Sequence, residues 1–461
     1  MGKIITKLED FVLYGLKGIP WDVYLFVLFT FPRVFNVMIL GGIFDISGTI
    51  QHETLTFEKY SYAILLVYMV VYEITYLLRY KRLRFNVPQI LGIVFFLFAV
   101  FTTAVNMGRD LAYDYFTKLS LGELMMTAVF ILNIGSKLKE KLFVNFFSFL
   151  AESFLLLNMF MNVVSVLSIC LYPNGGVIPV LGIPVTLPVV LVDPNPWRMH
   201  YRYAGFYSNA STLGIACYFA VLLTIILLDE KKISRTLGIV CILVNLGMIL
   251  VSNSRMALIN IGVIAIIFLS RLLHQKKNYT YKRIFGSFVL LCLALGLILC
   301  LLRMDLVTDV LARLKADPFW TIDDLTSARL QLARAAINHL KARPLIGVGW
   351  NVTFDVPNSV GSFNHHGSAH NFILTILAWT GILGTLIECA FIWSAHKKFQ
   401  KNSPLIKAHF WLFCLIICVT IQCLFEQGMV GDARHANTYL FWLVLGFFIS
   451  DRDQVPLAEV K

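Results

Sequence analysis

Charged residues are scarce in this 461-residue chain, at 14% of the composition against 58% hydrophobic residues. Soluble domains usually carry about 25% charged residues. A composition this poor in charge excludes a water-soluble globular protein, and one this rich in apolar residues excludes intrinsic disorder. The mean hydropathy of +0.74 leaves room for about a dozen helices of ~20 apolar residues each.

Motifs for cofactors, metal ions and nucleotide hydrolysis are also missing. The sequence has no Walker A motif, no GxGxxG before a helix and no HExxH. Asp323 and Asp324 are adjacent, but we interpret them as the first turn of a helix, where acidic side chains favour the dipole. The nine cysteines lie in apolar runs without CxxC or Cys/His ligand spacing, so we interpret them as buried thiols. We therefore predict no cofactor, no metal ion and no energy input from ATP.

Apolar runs of bilayer length are the main positive feature, and they predict about twelve spanning helices. They lie near residues 22–42, 60–78, 86–106, 119–135, 144–172, 206–228, 236–252, 256–270, 285–302, 370–395, 408–425 and 437–450. We expect an all-α integral membrane protein, with residues 1–461 forming a single polytopic domain. We expect no cleavable signal peptide, because Glu9 and Asp10 precede the first long run near Trp21.

The net charge of +12 is concentrated in short segments between the apolar runs. A cytoplasmic N-terminus would place inside the segments 1–21, 79–85, 136–142, 229–235, 271–284, 396–407 and 451–461, which hold most of the Lys and Arg. Since these residues favour the cytoplasmic side of short loops, we predict a multi-pass protein with both termini in the cytoplasm. The charge thus indicates topology, and we expect no nucleic acid partner.

Two long segments lie on the predicted outer side. Residues 173–196 are apolar enough to span, but their prolines remove amide donors that lipid cannot replace, so we predict a non-helical loop. Residues 303–369 form a predicted extracytoplasmic cap loop. In this cap, apolar residues recur at helical spacing from Leu325 to Leu340 and the pattern ends at Pro344, which predicts an amphipathic helix.

Ionisable residues inside the predicted spans are candidates for function or for structure. They are Arg33, Glu73, Glu123, Glu152 and Glu388. A charge in a span costs several kcal/mol unless it is paired or faces a cavity. These five share no spacing that would build a proton relay or an ion site. Each is either part of an interhelical pair or part of a substrate pathway.

Histidines cluster where the long outer loop re-enters the membrane, in the segment FNHHGSAHN. His365, His366 and His370 are candidate catalytic residues, because histidine is best suited to move a proton near neutral pH. His370 and Asn371 would lie at the N-terminal end of a spanning helix, where free amides and the dipole favour an anion. A helix-cap role for Ser368 and Asn371 is the alternative.

Three arginines on the same predicted side are candidate phosphate ligands. Arg202 precedes an outer helix end, Arg255 follows a polar break at Ser254, and Arg329 lies in the predicted cap helix. Arginine holds phosphate oxygens in a bidentate fork and keeps its charge, so a group of arginines suits a pyrophosphate. The alternative for each is an interfacial arginine whose side chain reaches lipid phosphate.

Four motifs in fixed order resemble the O-antigen ligase and polysaccharide polymerase superfamily. They are RxxGF at Arg202, SxSR ending at Arg255, an Arg-containing cap helix that leads to PLIGVGW, and His370-Asn371 followed after nine residues by GxxG. The resemblance covers about residues 200–385. The ordered set is more specific than any one motif.

The resemblance implies a GT-C-like membrane glycosyltransferase that works without a metal ion at the outer face of the bacterial cytoplasmic membrane. Its donor would be a glycan on undecaprenyl pyrophosphate, whose reducing-end sugar passes to an acceptor hydroxyl. Arg202, Arg255 and Arg329 would bind the pyrophosphate, and His370 would be the base.

The histidine and polar residues near this predicted site leave alternatives open. His365 and His366 are additional to the family pattern, and either is an alternative base. Asn371 and Ser254 would support the site. Outer aromatic residues are candidates to stack on sugar rings, or they form an interfacial belt. They are Trp197, Tyr201, Tyr203, Tyr207 and Trp350.

Within the family we predict a polymerase that joins lipid-linked repeat units of a capsule, exopolysaccharide or O-antigen. The alternative is a ligase that moves a finished glycan onto a lipid A core or a protein, and the sequence does not separate the two. Expected partners are the lipid-linked donor, the glycan acceptor and membrane lipids, with a flippase and a chain-length regulator as further partners. A secondary transporter, favoured only by the intramembrane carboxylates, and a scaffold protein are the candidates from other classes.

Overall fold

The computed structural model describes residues 2–14, 21, 24, 67–81, 85–106, 131–171, 176–180, 183–187, 190–192, 201–203, 205, 210–252, 254–274, 329–350, 352, 354–356, 365–367, 371–425 and 436–451. In these parts the chain is a predominantly helical membrane protein. Five of the described helices are long and apolar enough to cross a bilayer.

The first part of the described chain is helical. Its helices are α1 (Gly2–Tyr14), α2 (residues 67–80), α3 (Val87–Asn106), α4 (Leu132–Lys137) and α5 (Glu140–Leu171). α3 has 20 residues, the length that a bilayer requires, and its bounds agree with the apolar run predicted near 86–106. α5 begins with a charged turn at Glu140 and continues as an apolar helix of 32 residues.

The proline-rich outer segment is not helical, as its prolines predict. It forms β1 (Gly176–Val180), which pairs antiparallel with β2 (Ile183–Leu187). A second hairpin joins β3 (Val190–Val192) to β4 (Tyr201–Tyr203). The prediction of an all-α protein is therefore wrong for these short stretches. Proline fixes its own φ near −65° and lacks an N–H, so a short two-stranded ribbon accommodates it and a helix does not.

The remaining elements follow the second hairpin. They are α6 (Ala210–Asp229), α7 (Arg235–Ser252), α8 (Arg255–His274), α9 (Arg329–Ala342), β5 (Phe354–Val356), β6 (His365–Gly367), α10 (Phe372–Lys401), α11 (Ser403–Ala408), α12 (Phe410–Phe425) and α13 (Ala436–Ile449). β5 and β6 form a third antiparallel pair. α9 lies within the helical pattern predicted from Leu325 to Leu340, and its place in an extracytoplasmic cap stays a prediction.

The spans can be compared with the prediction only where the chain is described. The long candidates are Val87–Asn106, Glu140–Leu167, Thr212–Asp229, Arg235–Ser252 and Phe372–Lys401, with shorter apolar helices at Met256–Arg271, Phe410–Leu424 and Tyr439–Ile449. The runs predicted near 22–42 and 285–302 lie outside the described residues. The total of about twelve spans stays a prediction.

Helix α12 packs against several other helices of the bundle. It contacts α6, α8, α10 and α13, while α10 also packs along α3. α4 and α13 approach closely at Gly135 and Gly446, where an added Cβ would overlap the facing backbone. Phe143 and Phe447 stack in the core with their ring centroids 3.8 Å apart.

The predicted inner segments meet at one end of the bundle. Nδ1 of His409 lies 2.7 Å from a carboxylate oxygen of Glu230, and Nε2 lies 3.1 Å from one of Glu140. We call these three residues the carboxylate cluster. Nearby, Arg271 pairs with Asp229 at 3.2 Å. This agrees with the prediction that these segments share one side, and we call this the inner end and the opposite one the outer end.

Intramembrane acids have different surroundings in the structure. Glu73 is buried, and its carboxylate accepts a hydrogen bond from the side-chain amide of Asn133 at 3.3 Å, which is an interhelical contact between α2 and α4. Glu388 is buried in α10, whereas Glu152 is exposed on α5. Arg33 and Glu123 lie outside the described residues. The contact of Glu73 favours the structural interpretation for that residue.

Candidate active site

Helix α10, which begins just after the predicted catalytic histidine, is broken at Gly381. Gly381 has φ 64° and ψ −166°, a conformation outside the helical region. The break separates an outer half that begins at Phe372 from an inner half that ends at Lys401. In a continuous helix the N–H of Ile382 would bond to Ala378, and that of Leu383 to Trp379. Lipid offers no substitute for these lost bonds.

The PLIGVGW segment after α9 supplies the missing hydrogen-bond partners. The backbone N–H of Val348 donates to the carbonyl of Ala378 at 3.0 Å. On the other side of the break, the N–H of Ile382 donates to the carbonyl of Pro344 at 2.8 Å. Two further bonds, from Gly349 to Trp379 and from Leu383 to Leu345, complete the set at 2.9 and 3.1 Å. We call the paired segments 344–350 and 378–383 the joint.

Glycines make this close backbone approach possible. Gly347 has φ +69° and Gly381 has φ +64°, and each faces the backbone of the other segment. A Cβ on Gly347 would overlap the carbonyl of Trp379, and one on Gly381 would overlap that of Leu345. Two sequence motifs, PLIGVGW and the GxxG that follows His370-Asn371, are therefore one structural unit.

Helix α3 holds the joint from the side. Oγ1 of Thr103 accepts a hydrogen bond from the backbone N–H of Trp350 at 2.9 Å. Nδ2 of Asn106 donates to the carbonyl of Gly347 at 3.3 Å. Trp350 is fully buried, with its ring centroid 4.8 Å from that of Trp379. The sequence motifs do not predict this contribution, and its available signal is the presence of polar residues at the end of an apolar run.

Asn371 forms the N-terminal cap of α10. Its Oδ1 accepts from the backbone N–H of Leu374 at 3.0 Å, and its Nδ2 donates to the carbonyl of Leu424 at 3.0 Å. The helix-cap interpretation is therefore confirmed for Asn371, which also ties the outer ends of α10 and α12 together. His370 and Ser368 lie outside the described residues, so the proposed base stays a prediction.

The other two histidines lie in strand β6, at the end of the predicted cap. His365 pairs with Val356 and His366 pairs with Asp355 in the antiparallel register. The strand β5, which they pair with, contacts α9. Their alternative role as the base therefore stays untested, and their backbone belongs to a hairpin between the joint and the start of α10.

The arginines predicted to bind pyrophosphate occupy three different elements. Arg202 is the middle residue of β4, Arg255 is the first residue of α8, and Arg329 is the first residue of α9. β4 contacts α7, the helix that ends just before Arg255. α9 contacts α10. β4, which contains Arg202, and the start of α8 thus lie at the outer end. α9, which contains Arg329, packs against α10, whose N-terminus is capped by Asn371.

The SxSR motif forms the turn between α7 and α8. Oγ of Ser252 donates to the carbonyl of Ile249 at 2.8 Å. Ser254 is buried, and its Oγ lies 3.5 Å from the backbone N–H of Ala257, in the position of a helix cap. A Cβ on Gly214 of α6 would overlap the side chain of Ser254. Ser254 thus helps to fix the start of α8, and its supporting role at the site stays a prediction.

Two of the aromatic residues predicted at the outer face are buried in this structure. Tyr203 is 1% exposed, and its hydroxyl donates to the carbonyl of Ser165 at 2.8 Å. Burial raises the pKa of Tyr203 to about 12, so this hydroxyl stays protonated as a donor. Trp350 packs inside the joint. Neither ring presents a face for stacking on a sugar, and both instead fix the backbone beside the site.

One segment of the chain is similar to a known protein family. Residues 237–388 match the O-antigen ligase family. This match supports the resemblance to the O-antigen ligase and polymerase superfamily that the ordered motifs indicate. The matched segment makes up about a third of the chain and contains Arg255, α9, the joint and Asn371. No curated protein matches the chain.

The superfamily segment and the rest of the chain contribute different parts of the candidate site. Arg202, Thr103 and Asn106 lie before the matched segment. The ordered motifs from Arg255 onward lie inside it. Among the described residues, no group of three His, Cys, Asp or Glu side chains is arranged to hold a metal ion. The metal-independent mechanism stays a prediction.

Proposed function

We propose that this protein is a polymerase of undecaprenyl-pyrophosphate-linked oligosaccharide repeat units in capsule, exopolysaccharide or O-antigen synthesis. The observation that carries the proposal is the superfamily match at residues 237–388, which includes the motifs that the joint unites. The site would face outward from the bacterial cytoplasmic membrane, with both termini in the cytoplasm. The gathering of the basic segments at the opposite end of the bundle supports that orientation.

The proposed reaction is a glycosyl transfer to a hydroxyl group. The acceptor oxygen attacks C1 of the donor's reducing-end sugar, and the bond between C1 and the pyrophosphate oxygen breaks. The electron pair leaves with undecaprenyl pyrophosphate, and His370 accepts the hydroxyl proton. General-base catalysis of this kind contributes roughly 10²–10⁴-fold to a rate. His365 and His366 remain alternative bases on the adjacent hairpin.

The arginines would stabilise the leaving group. Arg202, Arg255 and Arg329 would place fixed positive charge where negative charge develops on the pyrophosphate, which is usually the largest electrostatic contribution to such catalysis. Arg255 is the first residue of α8, where backbone N–H groups add to the positive potential. The donor is already activated, so the reaction needs no ATP.

A ligase is the second candidate, because the matched family is described as O-antigen ligase. A ligase would use the same donor and the same leaving group, but it would pass a finished glycan to a lipid A core or a protein. For a polymerase the acceptor is another lipid-linked repeat unit, and a flippase and a chain-length regulator are expected partners. The two activities differ in the product that accumulates when the protein is lost.

The test is a gel of surface and lipid-linked glycan from cells that lack the protein, complemented with wild type or single variants. We expect His370→Ala and Arg255→Ala to leave single repeat units in place of a ladder. Full-length lipid-linked polymer that never reaches its acceptor would indicate the ligase. An unchanged ladder with both variants present in the membrane would overturn the proposed site.

Matched control variants separate the site from general damage. Arg235 begins α7 at the inner end, as Arg255 begins α8 at the outer end, and it is exposed. His396 lies on the inner half of α10, beside Gln400. Arg235→Ala and His396→Ala should both keep the ladder. If Glu73, Glu152 and Glu388 variants abolish the product while the His370 variant does not, the protein is a transporter.

A further inference from the structure

The joint links two parts of the proposed active site that are distant in sequence. α9, which begins at Arg329, leads directly into the 344–350 segment. That segment bonds to both sides of the break in α10, whose outer half begins at the Asn371 cap. The N-terminal end of α10, which Asn371 caps, is therefore positioned relative to α9 by the segment 344–350, and its position depends on how firmly that segment is held.

A helix that is broken, as α10 is at Gly381, can bend at the break unless neighbouring segments hold both of its halves. The bonds across the break fix the segment 344–350 to α10, but they do not connect this segment to any other helix. α3 adds such a connection, because it packs along α10 and also bonds to the segment 344–350. Thr103 is the residue of α3 that bonds to the far end of the loop, at the N–H of Trp350.

We propose that Thr103 is a positioning residue for glycosyl transfer, acting through the segment 344–350 on the outer half of α10. This inference rests on the proposed function. The acceptor oxygen of Thr103 satisfies the N–H of Trp350, a residue 247 positions away, inside a region where both are fully buried. Without that acceptor the N–H is left unpaired, and the loop relaxes to find another partner.

Thr102 provides a control, because its hydroxyl differs from that of Thr103 in one hydrogen bond. Both threonines are fully buried in α3, and the hydroxyl of each donates to the carbonyl of Ala99, at 3.0 Å for Thr102 and 2.8 Å for Thr103. Thr103 alone of the two accepts from Trp350. Replacing either by valine keeps the shape and removes the hydroxyl, so the pair isolates the bond to the loop. Thr103→Ser keeps the hydroxyl and removes the methyl group.

The experiment measures polymer formation by the purified full-length protein in lipid nanodiscs. The substrate is the undecaprenyl-pyrophosphate-linked repeat unit extracted from cells that lack the protein. We expect Thr103→Val to lower kcat by roughly ten- to a hundredfold, because a displacement of reacting groups by about 1 Å can cost about a hundredfold in rate. KM for the donor should stay within about threefold, because the groups that bind it are unchanged.

The controls fix the interpretation of that result. Thr102→Val should keep kcat within about threefold of wild type, and Thr103→Ser should recover most of the activity. Thermal unfolding should show a larger loss of stability in Thr103→Val than in Thr102→Val, because only the former leaves the N–H of Trp350 unpaired. Activity is therefore compared at a temperature at which both valine variants are fully folded. Equal kcat in both valine variants, or no recovery with serine, would overturn the positioning role. A loss expressed in KM alone would also overturn it.

Failure of the proposed function has a different signature. If the wild-type protein makes no longer product from the repeat unit, the polymerase proposal fails, and this inference fails with it. If wild type is active and His370→Ala is inactive while Thr103→Val matches Thr102→Val, the function stands and only the role of Thr103 is wrong.

Discussion

The joint and the carboxylate cluster hold two regions of the bundle together by different chemistry. In the joint, backbone groups bond across a broken helix and glycines allow the close approach. In the cluster, His409 bridges Glu140 and Glu230 with both ring nitrogens. Backbone amides do not titrate in the physiological range, whereas histidine does. The geometry beside the candidate site should therefore be insensitive to pH and salt, and the inner end should respond to both.

The largest effect is expected from Gly381→Ala, which breaks the joint. Alanine would have to adopt φ 64° and ψ −166°, a region occupied almost only by glycine, and its Cβ would overlap the carbonyl of Leu345. We expect a loss of about 3 kcal/mol or more in the free energy of unfolding, and loss of polymer formation. Thermal unfolding of the purified protein at several pH values checks this, and the loss should be the same at each pH.

Gly247→Ala is the matched control for that variant. Gly247 lies in α7 with open space where a Cβ would be added. Alanine should leave stability unchanged or raise it by up to about 1 kcal/mol, the difference in helix propensity. If Gly381→Ala behaves like Gly247→Ala, the joint does not depend on the glycine conformation.

Hydropathy and proline content predicted the parts of this fold that depend on local chemistry. The run near 86–106 became α3, because an apolar stretch of this length has one stable state in a bilayer. The prolines of 173–196 excluded a helix there. The spacing of apolar residues also predicts the helix α9. Each of these features is set by residues close together in the sequence.

The joint was not predictable from the sequence in the same way. The run near 370–395 looks like one continuous span, since a single glycine costs a helix only about 1 kcal/mol and often does not break it. The break at Gly381 forms because 344–350 provides the missing partners, and the bond from Trp350 to Thr103 joins residues 247 positions apart. Single-sequence periodicity carries no information about contacts of that kind.

A smaller effect is expected from the carboxylate cluster, and it should depend on pH. The hydrogen bond that His409 donates to Glu230 raises the pKa of His409 above its usual 6.5, and the bond to Glu140 adds to this against the opposing effect of burial. A raised pKa in the folded state means that the stabilisation is complete below about pH 6.5 and is lost as the pH rises through the folded-state value. We expect wild type to lose about 1.5–3 kcal/mol over that rise, the range for hydrogen bonds to charged groups.

His409→Gln tests this assignment. The variant keeps one donor but cannot carry charge, so its thermal stability should change little with pH above 6.5. His396→Gln is the control, because the ring of His396 lies 3.0 Å from the side-chain amide of Gln400, which is a neutral group. It should keep the wild-type pH profile. A wild-type profile in His409→Gln would show that another group causes the pH dependence.

The smallest effect is expected from the ion pair of Arg271 and Asp229 at the inner end. Both side chains are about a third exposed, so water and salt screen the attraction. Asp229→Asn should cost about 0.5 kcal/mol or less in thermal unfolding at low salt, and nothing measurable at about 1 M salt.

Arg271 also lies over the rings of Phe410 and Trp411, at 5.2 and 5.8 Å from their centroids. Arg271→Ala should therefore cost more than Asp229→Asn, and the difference should survive high salt because ring contacts are screened less. If the loss of stability in Asp229→Asn does not depend on salt, then the inner end is not held by electrostatic attraction and does not differ from the joint in this respect.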